Sequence, residues 1–438
     1  MSHQDNLAST AVETVAGTEI ETKRQAVLTS LWKHSDFLKL WTGQTVSVFG
    51  SAVTELALPL TAVTILQATP FEMGLLATAA LVPHLLFSLF AGVWVDRRSR
   101  KRPILIAADI GQALLLFTIP LSAALGILSM AQLLSVALLT GICRVFFNIA
   151  YFSYLPTLIN SQYLVEGNSK LRASASLSQI GGPAVSGALV QAITAPIAII
   201  VDALSFLVSA FFLKQIKKPE ETVANNQERK IWKDIVLGLR SVMTDPVQRA
   251  IAGSAATFNF FGLVILAIFV LYATRELGLT PTLIGSVFLS GGLGGLVGAL
   301  MASRVARRFG QGRTIFVSTL VFAFSLLLLP LARGPEPIVL AILLIAEFFA
   351  GFAVMLFDVN IIAMLQIRVP AEESGRTIAT LSFVTQGVKA LGALVGGILG
   401  QAIGLWPALW VGGLGGMTAV LWTWFSPLRA NKVNVELK

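Results

Sequence analysis

The chain has 438 residues, of which 55% are hydrophobic and only 13% charged, and its mean hydropathy is +0.78. A soluble domain carries about 25% charged residues, so most of this surface is built to meet lipid rather than water. The net charge of +9 does not point to nucleic acid, because no soluble domain presents a basic face. The single cysteine, Cys143, excludes an internal disulfide, and the three histidines at 3, 34 and 84 form no cluster with metal-ligand spacing. No nucleophile–base set is visible, so no enzyme, metal or cofactor is expected.

Residues 1–25 are polar and lack the apolar core of a signal peptide; they read as a cytoplasmic tail, 1–35 in all. Residues 26–41 place Leu28, Leu31, Trp32 and Leu38 at helical spacing, which suits an interfacial helix or a plain juxtamembrane segment. Twelve runs then follow that are long enough to cross a bilayer as helices. They lie at 38–66, 71–95, 103–126, 130–158, 165–191, 195–215, 247–273, 281–306, 312–332, 337–367, 375–402 and 406–428. The fifth is the least apolar, and the fourth and tenth run long. The polar stretch 216–246 divides the chain into a first half at 36–215 and a second at 247–429, with a tail at 430–438.

Lys and Arg are distributed very unevenly among the loops. One set holds Arg97–Arg102, Lys170, Arg172, the central linker, Arg304–Arg313, Arg368 and Arg376; the other holds only Arg275 and Arg333. By the positive-inside rule both termini and the linker are cytoplasmic in a multi-pass protein of the cytoplasmic membrane. Topology alone accounts for the basic cluster of "GVWVDRRSRKRP" at 92–103, but not for Asp96 at its head.

The halves echo each other. "RASASLS" at 172–178 returns as "RTIATLS" at 376–382, and "VWVDRRSRKRPILI" is answered by "LMASRVARRFGQGRTIFV". Two similar halves around a linker imply a pseudo-two-fold axis along the membrane normal, with the substrate near the midplane between them. On these residues the chain resembles the major facilitator superfamily of twelve-helix transporters. Gly92, Asp96, Arg97, Arg100 and Lys101 match its signature between the second and third helices. Within the superfamily it is most similar to the branch of enterobactin exporters and macrolide efflux proteins, through "LALPL" at 56–60, "GGPAVSG" at 181–187, "VDALSF" at 201–206, "GLRSVMTDP" at 238–246 and "VPAEESGRTIA" at 369–379. The resemblance implies that Asp96 approaches a helix end of the opposite half when the cytoplasmic side is closed, which makes the five signature residues gating rather than substrate-binding groups. Gly92 would permit close helix approach. The second-half echo lacks the acid, with Ser303 in its place.

Ionisable residues inside spans cost several kcal/mol, so they usually face a cavity or a partner. Gln44, Ser47, Ser51 and Glu55 share one face of the first helix; Arg144, Asn148 and Tyr151 share one of the fourth; Glu347, Gly351 and Asp358 one of the tenth; Ser382, Gln386 and Lys389 one of the eleventh. The seventh offers Asn259 among Phe258, Phe260 and Phe261. The resemblance implies that helices one, four, seven and ten line the central cavity. Proton-coupling candidates are therefore Glu55, Arg144 and Asp358, and cavity candidates are Gln44, Ser51, Asn148, Tyr151, Asn259, Glu347 and Lys389. Glu55 is read as a lone, desolvated carboxylate able to bind and release a proton. Arg144 either couples or pairs with an acid such as Glu55 or Asp109; Asp202 reads as structural; Lys389 either selects an anionic substrate or pairs with Asp358. The glycine runs at 291–298 and 392–400 suit close helix contacts, and no nucleotide loop is present, so transport would use an ion gradient. The expected protein is a monomeric exporter of a small amphipathic molecule such as a drug or siderophore, driven by protons. An importer or facilitator of a metabolite, or a non-transporting sensor, is the alternative.

Overall fold

The computed structural model describes residues 31–220, 243–368 and 371–426. The tails and most of the linker expected from the sequence lie outside these residues. Described residues form helices throughout. The first half holds α1 (Ser35–Thr64), α2 (Pro70–Asp96), α3 (Arg102–Ala124), α4 (Met130–Leu158), α5 (Leu164–Ile193) and α6 (Ala195–Lys214). The second holds α7 (Pro246–Arg275), α8 (Pro281–Phe309), α9 (Gln311–Leu328), α10 (Glu336–Arg368), α11 (Ala371–Ile403), α12 (Leu405–Met417) and the short α13 (Ala419–Trp424). Eleven stretches are long and apolar enough to span a membrane, one of them covering α12 and α13 together. With α5, whose polar face keeps its hydropathy low, they make twelve.

Two details differ from the sequence expectation. The last span is broken at Thr418, whose amide turns back to Gly415. The segment at 26–41 is not continuous: Leu31–Lys33 make one 3-10 turn, and α1 starts afresh behind His34, whose Nδ1 accepts from the Phe37 amide; residues 26–30 lie outside the described chain.

The helix starts follow local chemistry. Thr69 forms a capping box with Glu72, and Ser129, Asp245 and Thr280 cap α4, α7 and α8. Proline takes the first turn of α2, α7 and α8, where no amide partner is lost. Single residues join α5 to α6 and α11 to α12: Thr194, at φ 77°, and Gly404, at φ 91°. Only glycine adopts that conformation without strain.

The halves pack on each other through two helix pairs, α2 on α11 and α5 on α8. Backbones nearly touch at both. A Cβ on Gly74 would lie 2.6 Å from Gly397 Cα, and one on Gly187 would lie 2.3 Å from the Pro281 carbonyl oxygen. These contacts are related by the internal symmetry. Gly74 and Gly285 each follow a helix-opening Thr-Pro by four residues, and Gly187 and Gly397 each precede a one-residue junction by seven. Measured from the same junctions, Arg172 and Arg376 stand 22 and 28 residues away, so the "RASASLS" echo does not occupy matching levels.

Candidate functional site

Four hydrogen bonds join the halves toward the end opposite the basic loops. Thr78 Oγ1 donates to Ala390 O at 3.3 Å, and Arg275 reaches Gln67 at 3.5 Å. The Thr282 amide and hydroxyl meet Gln191 Oε1 and Gly187 O. At the basic end Asp96, Arg97 and Arg100 are exposed, and Asp96 has no ion pair within 4.0 Å among the described residues. Gly92 also departs from expectation. A Cβ there would meet nothing within 4 Å: α2 packs on α4 through Trp94 and Val95 at this level, and Gly92 lies on its open face.

The remaining signature residue, Lys101, is engaged within the first half together with its neighbour Arg102. The Lys101 and Arg102 amides donate to the Glu220 carboxylate, which thereby caps α3 in place of a side chain of its own. Arg102 binds Ile216 O, and Lys101 Nζ binds Val95 O and Arg98 O. Burial pulls the Lys101 ammonium below its usual range, against the attraction of Asp96 and Glu220. Asp36 takes the Lys217 and Lys218 amides, and Lys218 Nζ reaches Leu158 O. Residues 215–220 are thus laced across the ends of α1, α3 and α4.

On the inner wall of the first half, Glu55 meets Arg144 at 3.8 Å. This corrects the reading of Glu55 as lone and desolvated: its side chain is 71% exposed and has a cation beside it. Arg144 and Asn148 share an exposed face of α4, but Tyr151 turns inward, stacked on Phe147 with its hydroxyl buried and unpaired. Gln44 likewise hides its Oε1. Ser51 points to Asp202 at 3.4 Å. Behind it, Asp202 and Asp109 are almost wholly buried between α1, α3 and α6, beside Ser205 and Ser209. Both Asp109 oxygens and one of Asp202 lack hydrogen-bond partners. Sequence spacing did not single out this pair, because its members come from helices that do not share a motif. An ionised carboxyl without a partner in such a place costs several kcal/mol.

An open cavity lies in the second half. It has a volume of about 500 Å³ and is lined by α7, α8, α9, α10 and α11, with Gln179 and Ser176 of α5 on the far side. Of the four helices expected to line the site, α7 and α10 do so here through Asn259 and Glu347, while α1 and α4 do not reach it. Its aromatic wall is Phe258 stacked on Phe322, at 3.4 Å between centroids, and Phe269 edge-on to Phe288. Gly291 leaves room beside the Glu347 carboxylate, 3.2 Å from where its Cβ would be. Lys389 also lines the cavity. It forms no ion pair within 4.0 Å, so a direct bridge to Asp358 is not made, although Asp358 is the acid whose charge acts on it. Asp358 itself is exposed outside this cavity.

The sequence profile of the transmembrane secretion effector family matches residues 28–436. The chain belongs to this family of major facilitator transporters. Similar proteins include the multidrug efflux pump Tap of Mycolicibacterium fortuitum, 24% identical over 76% of this chain and 82% of that protein. Macrolide efflux protein A of Streptococcus pyogenes is 20% identical over 85% of this chain and 91% of its own length. In fold, this secretion-effector transporter is similar to a bacterial homologue of the iron transporter ferroportin in an inward-facing state. That likeness has a TM-score of 0.71 at 16% identity and covers 89% of this chain and 97% of the other. The transporter is a multi-pass membrane protein, and its family and fold are those of transporters rather than enzymes.

Proposed function

We propose that this protein exports a small amphipathic organic molecule from the cytoplasm by alternating access, using proton antiport as its energy source and no bound cofactor. The observation that carries the reading is the uneven contact between the halves. They are locked by Gly74–Gly397 and Gly187–Gly285 at one end, while at the other Asp96, Arg97 and Arg100 are exposed and make no ion pair across the interface among the described residues. With the basic loops and both termini cytoplasmic, this is the state that loads substrate from inside the cell. The efflux activity in the names of similar proteins supports the direction. Asp96, Arg97, Arg100 and Lys101 form the gate that closes in the opposite state.

Coupling runs through the Glu55–Arg144 pair. The pair is weak at 3.8 Å and wet, so a substrate or a proton can separate it at little cost. When Arg144 turns to another acid, Glu55 is free to take a proton. Ser51, one turn before Glu55 on α1, donates to Asp202. The test is transport in proteoliposomes with and without an imposed pH gradient. Glu55→Gln should abolish uphill, proton-driven efflux and preserve downhill exchange of labelled substrate. Concentrative efflux by the Gln variant would remove Glu55 as the coupling acid and pass attention to Asp358.

A further inference from the structure

A groove runs along the outside of the first half. There α2 and α3 both pack on α4 but scarcely on each other, so a trough opens between them with α4 as its floor. Its volume is about 690 Å³. Ile142 and Phe146 supply the floor, Trp94 and Ala107 the sides, and Arg98 and Arg100 the mouth. Ile142 and Phe146 each stand two residues from Arg144 on α4, roughly 200° around the helix. The groove therefore opens away from the Glu55–Arg144 wall and toward the lipid. The matching place in the second half is built differently: Gly310 alone joins α8 to α9, and those two helices touch.

The charges at the mouth are free to take a ligand. Residues 96–102 hold five basic groups and one acid. Two of the basic side chains are engaged elsewhere: Lys101 Nζ binds Val95 O and Arg98 O, and Arg102 binds Ile216 O. Glu220 sits against the amides of the same two residues. Arg98 and Arg100 make no ion pair within 4.0 Å among the described residues, and Asp96 does not line the groove. The Arg98 guanidinium is held 4.7 Å over the Trp94 ring, and Trp94 stands edge-to-face with Phe146 at 5.5 Å. Ser99, between the two arginines, adds a hydroxyl at the rim. Guanidinium forks suit phosphate oxygens, and the trough below them, flanked by a tryptophan of the kind that favours the membrane interface, suits a hydrocarbon chain.

We infer that the groove between α2 and α3 holds an anionic glycerophospholipid, its phosphate between Arg98 and Arg100 and one acyl chain along Ala107, Ile142 and Phe146. Basic pockets at the ends of membrane helices take such headgroups. A soluble anion would use the mouth and leave the apolar floor uncovered, whereas the lipid covers both. The bound lipid fastens the signature loop to the first half on the side turned away from the second, and so makes the loop responsive to the charge of the membrane. Its place in the cytoplasmic leaflet rests on the orientation proposed above; the binding does not.

The experiment is native mass spectrometry of the purified full-length protein in detergent, titrated with dioleoylphosphatidylglycerol or with dioleoylphosphatidylcholine, which has the same chains and no net charge. The first phosphatidylglycerol should bind at least about fivefold more tightly than the first phosphatidylcholine, as expected for basic groups at a membrane surface. Arg98→Gln combined with Arg100→Gln should erase that preference. Arg307→Gln combined with Arg308→Gln, which removes the same charge from the second half, should preserve it. Ala107→Trp fills the trough, leaves both arginines in place and should weaken phosphatidylglycerol binding by about the same factor. Millimolar glycerol 3-phosphate should displace nothing. Equal binding of the two lipids by the wild-type protein, or equal losses in the two arginine pairs, would reduce the effect to general surface charge and overturn the inference. So would displacement by glycerol 3-phosphate, which marks a site for a free anion, or indifference to Ala107→Trp. The wild-type lipid comparison decides even if a variant fails to fold. Lipid binding as predicted, in a protein that exports nothing from vesicles, would fail the exporter reading and leave the lipid site standing.

Discussion

Gly187→Ala tests whether the glycine crossings set the balance between conformations. In the present state the new methyl would lie 2.3 Å from the Pro281 carbonyl oxygen and 3.1 Å from Gly285 Cα. Both are backbone atoms, so no side chain can swing aside, and α5 and α8 must part by roughly 1 Å to reach ordinary contact distances near 3.5 Å. Overpacking of this kind costs about 1–3 kcal/mol. The cost falls only on the state in which this end is closed, so the population should shift away from that state by about 5–150-fold. Spin labels at Ile127 and Leu331 report the closed end, and labels at Arg100 and Arg308 report the basic end, in a background with Cys143 replaced by Ser. Double electron–electron resonance in nanodiscs should show the first distance lengthening and the second shortening. Gly92→Ala, which meets nothing within 4 Å here, should cost nothing in this state and move the distances the opposite way if Gly92 packs closely in the other. Unchanged distance distributions for Gly187→Ala, in a folded protein, would refute the reasoning.

Other predictions concern the loop, the cap and the strained junction. Asp96→Asn should leave this state intact, since Asp96 has no ion-pair partner among the described residues, yet slow transport severely and raise thiol labelling at the basic-end mouth; normal flux would leave the loop as a topology anchor only. Glu220→Gln removes a charge from the start of α3, worth about 1 kcal/mol, and should speed hydrogen exchange at the Lys101 and Arg102 amides by about fivefold. Thr194→Gly relieves a conformation that costs about 1–3 kcal/mol for a β-branched residue, offset by about 0.4–1 kcal/mol of unfolded-chain entropy. A higher midpoint of thermal unfolding in detergent is expected, and a lower one would show that the Thr194 side chain carries compensating contacts.

The fold was legible because lipid makes its demands locally. A span must be apolar for about 20 residues, so α4 is readable at both ends from the sequence, and even the poorly apolar α5 is placed by its neighbours. The candidate site was legible only in part. Helical spacing puts Arg144 and Asn148 on one open face, but it cannot say that Tyr151 on the same stripe is drawn into the core by Phe147. Nor can it report water: Glu55 looks desolvated in a list of apolar neighbours and is exposed once the halves are arranged. The aromatic wall had no local signal, because its four rings come from three helices, at positions 258, 269, 288 and 322. The Thr-Pro-x-x-x-Gly repeat at 69–74 and 280–285 was visible and went unused; it marks the crossings more faithfully than the arginine-led echo.

The lacing of residues 215–220 onto α1, α3 and α4 changes where the connection between the halves begins. Mechanically, α6 does not release the chain at Lys214. The first half carries six further residues, up to Glu220, as part of its own packed body. A reporter inserted after Glu220 will therefore ride with the first half and register its rotation, whereas one placed at 216–218 will peel the strap and uncap α3. Any factor that competes for Glu220 would act on the signature loop through the Lys101 and Arg102 amides.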